Sequence, residues 1–472
     1  MNQQHTTIPA VRLPHKPPNT LWTIIISPST NTITSIAPYT PTPDSQSQPQ
    51  SNLRPLALPP LTHPHIHLDK AHLHSSPLYT SLHPTTGTFT EALHTTTTAK
   101  ALFTHSDLLT RGRWLLAASV EAGVTAMRAF VEVDGTVGLK CLEAALVLKE
   151  EWRARCTVQI ACFAQEPLFT GENAGVNRRL LEEAVGDERV EVLGTTPYVE
   201  GDEERGRRNV KWAVERALVH GKHLDFHLDY HLEGGKGAMV WFVLETLCRL
   251  RWVQRTRKRV MLGHCTRLTL FGEKEWRELA GLVRENALPV TFVGLPTSDI
   301  YMACASGQGL EKEKASSVRQ QPRGTLPVPS LIRTYGLDAV LGVNNVGNAF
   351  TPWGSADPLS VASLGVGLYQ AGTKADAELL YECVSTRARR AMGLPVATAD
   401  GLGLSEGDPG EVLLVDARKW MGGGDGDGED GGEVGIEVVP RSYGTVAEVV
   451  WDPPVMRGRR VVKCGMGRGK GR

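Results

Sequence analysis

From Leu61 onward, short runs of apolar and β-branched residues alternate with longer stretches in which apolar residues recur every three or four positions. Alternation within a short run predicts a strand, and a 3.6-residue period predicts a helix with one buried face. Strand-like runs lie at 61–66, 124–133, 156–164, 190–195, 223–227, 259–264, 289–294 and 338–343. TVGLKCLEAALVLKEEW and RRNVKWAVERALVHG show the clearest helical period, and 376–392 reads as the helix after the last strand. Strands alternating with helices pack as a parallel sheet, so the pattern predicts an α/β fold, a (β/α)8 TIM barrel, over 58–395.

The chain ends carry β-like pattern that a barrel does not need. Residues 21–37 hold two β-branched runs around Ser-Pro-Ser-Thr-Asn, the signature of a hairpin. Residues 38–55 are rich in Pro, Ser, Thr and Gln and predict a flexible insertion. Beyond 395, GDPGEVLLVDA at 407–417, VGIEVV, TVAEVVW and GRRVVKCG all read as strands. GGGDGDGEDGGE at 422–433 reads as an acidic, glycine-rich disordered loop. Neither end has enough apolar surface to fold alone. Residues 1–57 and 396–472 are therefore expected to build one small β-sandwich together.

Charge narrows the range of partners. The chain has 51 basic and 51 acidic residues, a formal net charge of zero, so nothing recruits nucleic acid or an anionic membrane surface. The basic tail VVKCGMGRGKGR is short and has no interleaved aromatics. The 8 cysteines are scattered without a CxxC, which suits a reducing compartment. The N-terminus has no apolar signal core and no run approaches the ~20 residues that span a bilayer, so cytoplasm is the expected location. Assembly into a homo-oligomer is left open.

Chemistry gathers at HPHIHLDKAH, residues 63–72. On a strand, His65 and His67 point to one face. A barrel collects its site at the C-terminal strand ends, where two imidazoles begin a site for a borderline divalent cation. This stretch alone also reads as a histidine-rich loop, with His63, His72 and His74 nearby. Two more histidines favour the metal: His227 closes HLDFH and His264 closes RVMLGH, each at the end of a predicted strand.

HPHIHLDKAH resembles the HxH element of the cytosine deaminase-like branch of the amidohydrolase superfamily. The resemblance continues, in the family's order, through GVTAMRAFVEVDGTVGLKCLEAAL, QIACFAQE, DFHLDYH, VMLGHCTRL and LPTSDIYM, and then through GTLPVPSLIRTYGLDAVLGVNNVGNAFTPWGSADPL and GDPGEVLLVDA. It implies one divalent ion, Zn²⁺ or Fe²⁺, held by His65, His67 and His227, with His264 as a further ligand or a polarising group. It implies that Gln165 binds the amide-like edge of a small-molecule heterocyclic substrate. The implied activity is hydrolysis of a non-peptide carbon–nitrogen bond, a deaminase or amide hydrolase working on a pyrimidine- or triazine-like ring.

The sequence departs from this pattern at two places. The family's strand-eight Asp, a ligand and proton acceptor, is Asn344 here, and Asn345 follows where another Asp is usual. An amide oxygen ligates weakly and cannot serve as a base. The Glu expected three residues after the fifth-strand histidine is Tyr230. Asp229, Glu233, Asp69 and Glu132 are the candidate replacement carboxylates, and Lys70 is placed to pair with one of them or to stand in solvent. The alternative expectation is a catalytically impaired or non-catalytic binding homologue. Asn344 is expected to point into the pocket as a weak ligand or substrate contact.

Overall fold

The computed structural model describes residues 5–41, 53–303, 323–396, 401–418 and 440–464. An eight-stranded sheet forms the centre: β5 (Leu61–His67), β6 (Val124–Glu132), β7 (Thr157–Ala164), β8 (Val192–Thr195), β9 (His223–Leu228), β10 (Val260–His264), β11 (Val290–Gly294) and β12 (Asp338–Leu341), each paired parallel to the next. Just beyond β12 the Asn344 backbone closes the ring. Its N–H donates to His65 O at 3.1 Å, and its carbonyl accepts from His67 N–H at 2.8 Å. The expected barrel is present, with every predicted strand within a few residues of its observed place.

Helices α1 (Phe89–Ala101), α2 (His105–Glu121), α3 (Lys140–Trp152), α4 (Ala174–Gly186), α5 (Glu203–His220), α6 (Val240–Arg249), α7 (Trp252–Arg255), α8 (Glu273–Glu285), α9 (Pro296–Met302), α10 (Val328–Arg333), α11 (Pro358–Leu368), α12 (Lys374–Cys383) and α13 (Thr386–Ala391) follow the strands around the outside or across the ends. α5 shows why these segments are helical. Asp202 caps the first turn by accepting from Arg205 N–H, Glu203 and Glu204 oppose the dipole, and Gly221 at φ 63° ends the helix. Its Gly206, Asn209, Val210, Ala213, Val214 and Ala217 form one buried stripe.

The segment 376–392, expected as one helix, is two. Ser385, at φ −136° and ψ −103°, breaks it between α12 and α13. α13 then plugs the barrel floor, packing Ala388, Ala391 and Met392 against Ala126, Met261, Val293 and Val340.

Two three-stranded antiparallel sheets flank the barrel. One is β1 (Thr6–Val11), β2 (Trp22–Ile26) and β3 (Ile33–Pro38); the other is β14 (Arg459–Lys463), β13 (Glu411–Val415) and β4 (Leu56–Leu58). Ile8, Val11, Ile24, Ile26 and Ile33 of the first meet Ala57, Val412 and Leu414 of the second in one buried cluster. The chain ends therefore pack as a small sandwich. β1 and β4 are strands that the pattern did not predict.

TVAEVVW is a correction. It is not a strand but α14 (Val446–Trp451), and it packs on the barrel helices. Thr445 accepts from Glu448 N–H while the Glu448 side chain accepts from Thr445 N–H, a reciprocal cap that overrides the β-propensity of the valines. VGIEVV, the acidic loop at 422–433 and most of the 38–55 insertion lie outside the described residues. Among the described residues no helix is long and apolar enough to cross a membrane.

Candidate active site

β5 carries an irregularity that aims its histidines. Its register against β6 shifts by one residue between His63 and Ile66, around Pro64, which has no N–H for the ladder. His63 therefore faces outward, 3.2 Å from Ser119 Oγ, while His65 and His67 turn into the barrel. His65 Nε2 and His67 Nε2 each lie 3.1 Å from His227 Nε2. One nitrogen from each of the three rings falls within 4.8 Å of the others.

The rings are tightly held. Phe130 stacks on His65 at 4.1 Å between centroids, and Phe163 lies 4.3 Å from His227. A Cβ on Gly263 would stand 3.3 Å from His65 Cε1, and one on Gly342 would stand 3.3 Å from His65 Cβ. A side chain at either position would crowd His65 by a few tenths of an ångström. Beneath it, Asp225 Oδ1 is 3.9 Å from His65 Nδ1, and Oδ2 accepts from Arg128 Nη1 at 2.8 Å. Burial pushes Asp225 up to about 7 against the pull of Arg128.

The donor set fits a divalent metal. Burial first, and then neighbouring cationic and imidazole groups, holds His65, His67 and His227 well below the usual imidazole range, so all three are neutral. Their Nδ1 atoms have no hydrogen-bond partner. Three converging nitrogen lone pairs repel unless a proton or a cation lies between them. Burial opposes the proton, and neutral imidazoles are ordinary ligands of Zn²⁺ or Fe²⁺.

His264 stands beside this triad, outside its close set, with its ring 5.2 Å from that of His227. Its Nδ1 is 2.8 Å from Asp299 Oδ1, and its face stacks on Tyr230 at 3.7 Å. Asp299 Oδ2 accepts from Thr325 Oγ1 at 2.6 Å and from Leu295 N–H at 3.1 Å. Burial raises the Asp299 carboxyl, while its bonds to His264 and Thr325 oppose that rise. Sequence reasoning missed Asp299, although it lies inside the LPTSDIYM motif.

Asn344 lines the cavity, as expected, and sits at φ 68°, a left-handed conformation that Asn tolerates better than most residues. Its Nδ2 donates to Ser298 Oγ at 2.9 Å, and its buried Oδ1 has no partner. Gln165 also lines the cavity, its Nε2 buried and unpartnered.

The replacement carboxylates are not brought in. Asp229 turns away: its carboxylate accepts from Met239 N–H at 2.8 Å and Val240 N–H at 3.1 Å, capping α6. Burial pushes it up to about 6. Glu233 pairs with Lys236 at 3.0 Å, away from the cavity. Asp69 Oδ2 accepts from Glu132 N–H at 2.7 Å, which makes it a brace between strand ends. Glu132 is clasped by Lys70 and Lys100, each at 2.6 Å. Burial raises its carboxyl, but the two ammonium groups outweigh this and hold it ionised. Lys70 is not a solvent lysine: it is 2 % exposed and lines the cavity.

Aromatic side chains narrow the cavity. Tyr198, Tyr230 and Phe350 line it, and Phe89, at the start of α1, lies 5.8–6.5 Å from all three rings. The space they leave is about 10 Å³, room for about one water. Tyr198 also lines an open cleft of about 690 Å³ on the same barrel face.

No protein-family model and no curated protein matches this sequence. Solved structures do. The 5-methylcytosine deaminase of Klebsiella pneumoniae liganded with 5-fluorocytosine superposes with TM-score 0.71 at 22% identity, covering 87% of this chain and 91% of that one. The N-isopropylammelide isopropylaminohydrolase of Burkholderia multivorans gives 0.68 at 24% identity, over 98% and 97% of the two chains. The guanine deaminase of C. acetobutylicum with bound guanine gives 0.53 at 13% identity, over 87% and 91%. At these identities the likeness establishes the fold. It is the (β/α)8 barrel that the alternation of strands and helices predicted.

Proposed function

We propose that this protein is a metal-dependent amidohydrolase of the cytosine deaminase-like branch, which hydrolyses a non-peptide carbon–nitrogen bond of a small heterocycle. The observation that carries the reading is the convergence of His65, His67 and His227, buried and neutral, beside a carboxylate-oriented His264. The solved neighbours whose names specify deamination or removal of an amine from a ring support the same reaction class.

His65, His67 and His227 would hold the ion, and the unpartnered Asn344 Oδ1 is the neutral oxygen offered beside them. A bound Zn²⁺ or Fe²⁺ supplies an acidified water and a Lewis acid. The remaining work falls to side chains. With Asp299 on Nδ1, His264 keeps Nε2 for the cavity, where it takes a proton from water and returns it to the departing nitrogen. The water oxygen goes to the ring carbon and the amine leaves with the added proton. Gln165 addresses the ring edge through an amide that both donates and accepts. Tyr230 and Phe350 exclude bulk water.

The test uses purified protein supplied with Zn²⁺ or Fe²⁺. The expected result is one retained ion per chain and release of ammonia or amine from aminopyrimidines, aminotriazines or ring amides. A wild-type protein that retains no ion overturns the reading. The second reading, a ligand-binding homologue without turnover, is favoured by Asn344 and Tyr230 at the two expected carboxylate positions. It predicts metal and ring binding with no product.

A further inference from the structure

We propose that the cavity, widened by movement of its lining Tyr198, Tyr230 and Phe350 rings, takes its substrate as an anion: an acidic oxo-heterocycle, a ring imide whose deprotonated O–C–N edge lies against Lys70. The inference rests on the amidohydrolase reading and names the substrate class of that same site.

One wall of the cavity is rich in hydrogen-bond donors. Its lining includes Lys70, Gln165 and Tyr198 and, among the described residues, no carboxylate. Lys70 Nζ has one oxygen partner, Glu132 Oε1 at 2.6 Å. An ammonium has three N–H groups, so two remain. They are surrounded by the rings of Phe350 and Phe163, whose centroids lie 5.3 Å and 5.9 Å away. Gln165 adds a buried Nε2 with no acceptor. A ligand that brings oxygen acceptors completes both groups.

Nothing balances this donor-rich wall from inside the cavity. Glu132 cannot turn inward, because Lys100 holds its other oxygen and itself pairs with Asp134. The same clasp fixes Lys70 in position, so the charge is presented without a search of rotamers. The two positions where related sites would offer carboxylates are Asn344 and Tyr230, and the Tyr230 hydroxyl is turned to Ser298 O at 3.2 Å. A protonated amidine would meet Lys70 with no counter-charge. A neutral aminopyrimidine would offer the Lys70 N–H groups only uncharged acceptors, a carbonyl oxygen or a ring nitrogen. Hydrogen bonds to a buried charged group discriminate by about 10- to 100-fold, and that is the preference expected for the anion.

The experiment measures binding by calorimetry at pH 7, with barbituric acid, which is ionised, against uracil and cytosine, which are neutral. The proteins are zinc-supplied wild type, Lys70→Met and Lys70→Arg, each checked for folding by thermal melt. Barbiturate should bind wild type at least 10-fold more tightly than uracil. Lys70→Met should abolish that preference and Lys70→Arg should retain much of it. If Lys70→Met does not fold, the wild-type comparison still decides. Uracil or cytosine binding as tightly as barbiturate overturns the proposal, as does no binding of any of the three, or a preference that survives in Lys70→Met. Zinc content of the same samples separates the two ideas. Barbiturate preference in a protein that retains no zinc contradicts the metal reading alone. Cytosine preference in the zinc-loaded protein contradicts the anion proposal alone.

Discussion

Asn344 serves the fold with its backbone and the cavity with its side chain. It closes the barrel against His65 and His67, in a left-handed conformation that Asp shares with Asn. Asn344→Asp is therefore expected to fold, and to raise zinc affinity about 10-fold by replacing a neutral oxygen with a charged one. Competition with a chromophoric chelator measures it, and unchanged affinity would place Asn344 outside the ligand set. Asp299 acts one step removed. Asp299→Asn leaves the three ligands in place but loses the charge that orients His264. Turnover should fall about 10²- to 10⁴-fold with zinc content unchanged, and equal loss of zinc and turnover would make Asp299 a metal-site brace. The four histidines were legible because each ends a strand-like run. The His264–Asp299 pair was not, since it joins residues 35 apart in sequence, and neither spacing nor periodicity marks such a partner. Lys70 was equally hidden, because its burial follows from α1 and the aromatic cap folding over a loop.

At the scale of elements, the site depends on where strands depart from regularity. The β5 bulge sends His63 to the outer helix layer and its two neighbours inward, a sorting that strict alternation would have forbidden. β10 contributes both His264 at its end and, with Gly342 just past β12, the room that His65 occupies. Gly263→Ala would press on the His65 ring. It should cost about 1–3 kcal/mol of stability and weaken zinc binding more than a comparable change on the outer face. Denaturant unfolding and zinc competition test the two parts. Stability lost with zinc affinity intact would show that the ring relaxes without moving its nitrogen. The barrel strands could be read from the sequence because a strand buried on both faces is a continuous apolar run. α14 was misread for the same reason: VAEVVW has that composition, and the Thr445–Glu448 cap decides against it. β4, three residues long, pairs with β13 of the far chain end, a long-range contact that leaves no local pattern.

Across the whole molecule, a barrel plugged by α13 and flanked by a sandwich from both chain ends buries several titratable groups on its floor. His223 is one. Burial lowers its pKa to about 3 from 6.5, helped by Arg128, Lys258 and Arg259, while its Nδ1 accepts from Arg259 N–H. Below pH 6.5 the unfolded chain binds a proton that the folded one refuses, so this stability is complete above that pH and is lost as pH falls toward 3. At about 1.4 kcal/mol per pH unit, wild type should lose about 2 kcal/mol more than His223→Asn between pH 7 and pH 5. Urea unfolding at the two pH values measures the difference, and parallel losses would show that His223 is already protonated in the fold. The proposed function puts one divalent ion between three neutral imidazoles at the barrel mouth. Its test is zinc titration of metal-stripped protein against a competing chelator, for wild type and for His227→Ala. Wild type is expected to take up one tight equivalent and the variant to lose it. Wild type that takes up no zinc, or a variant that binds as tightly as wild type, would contradict it.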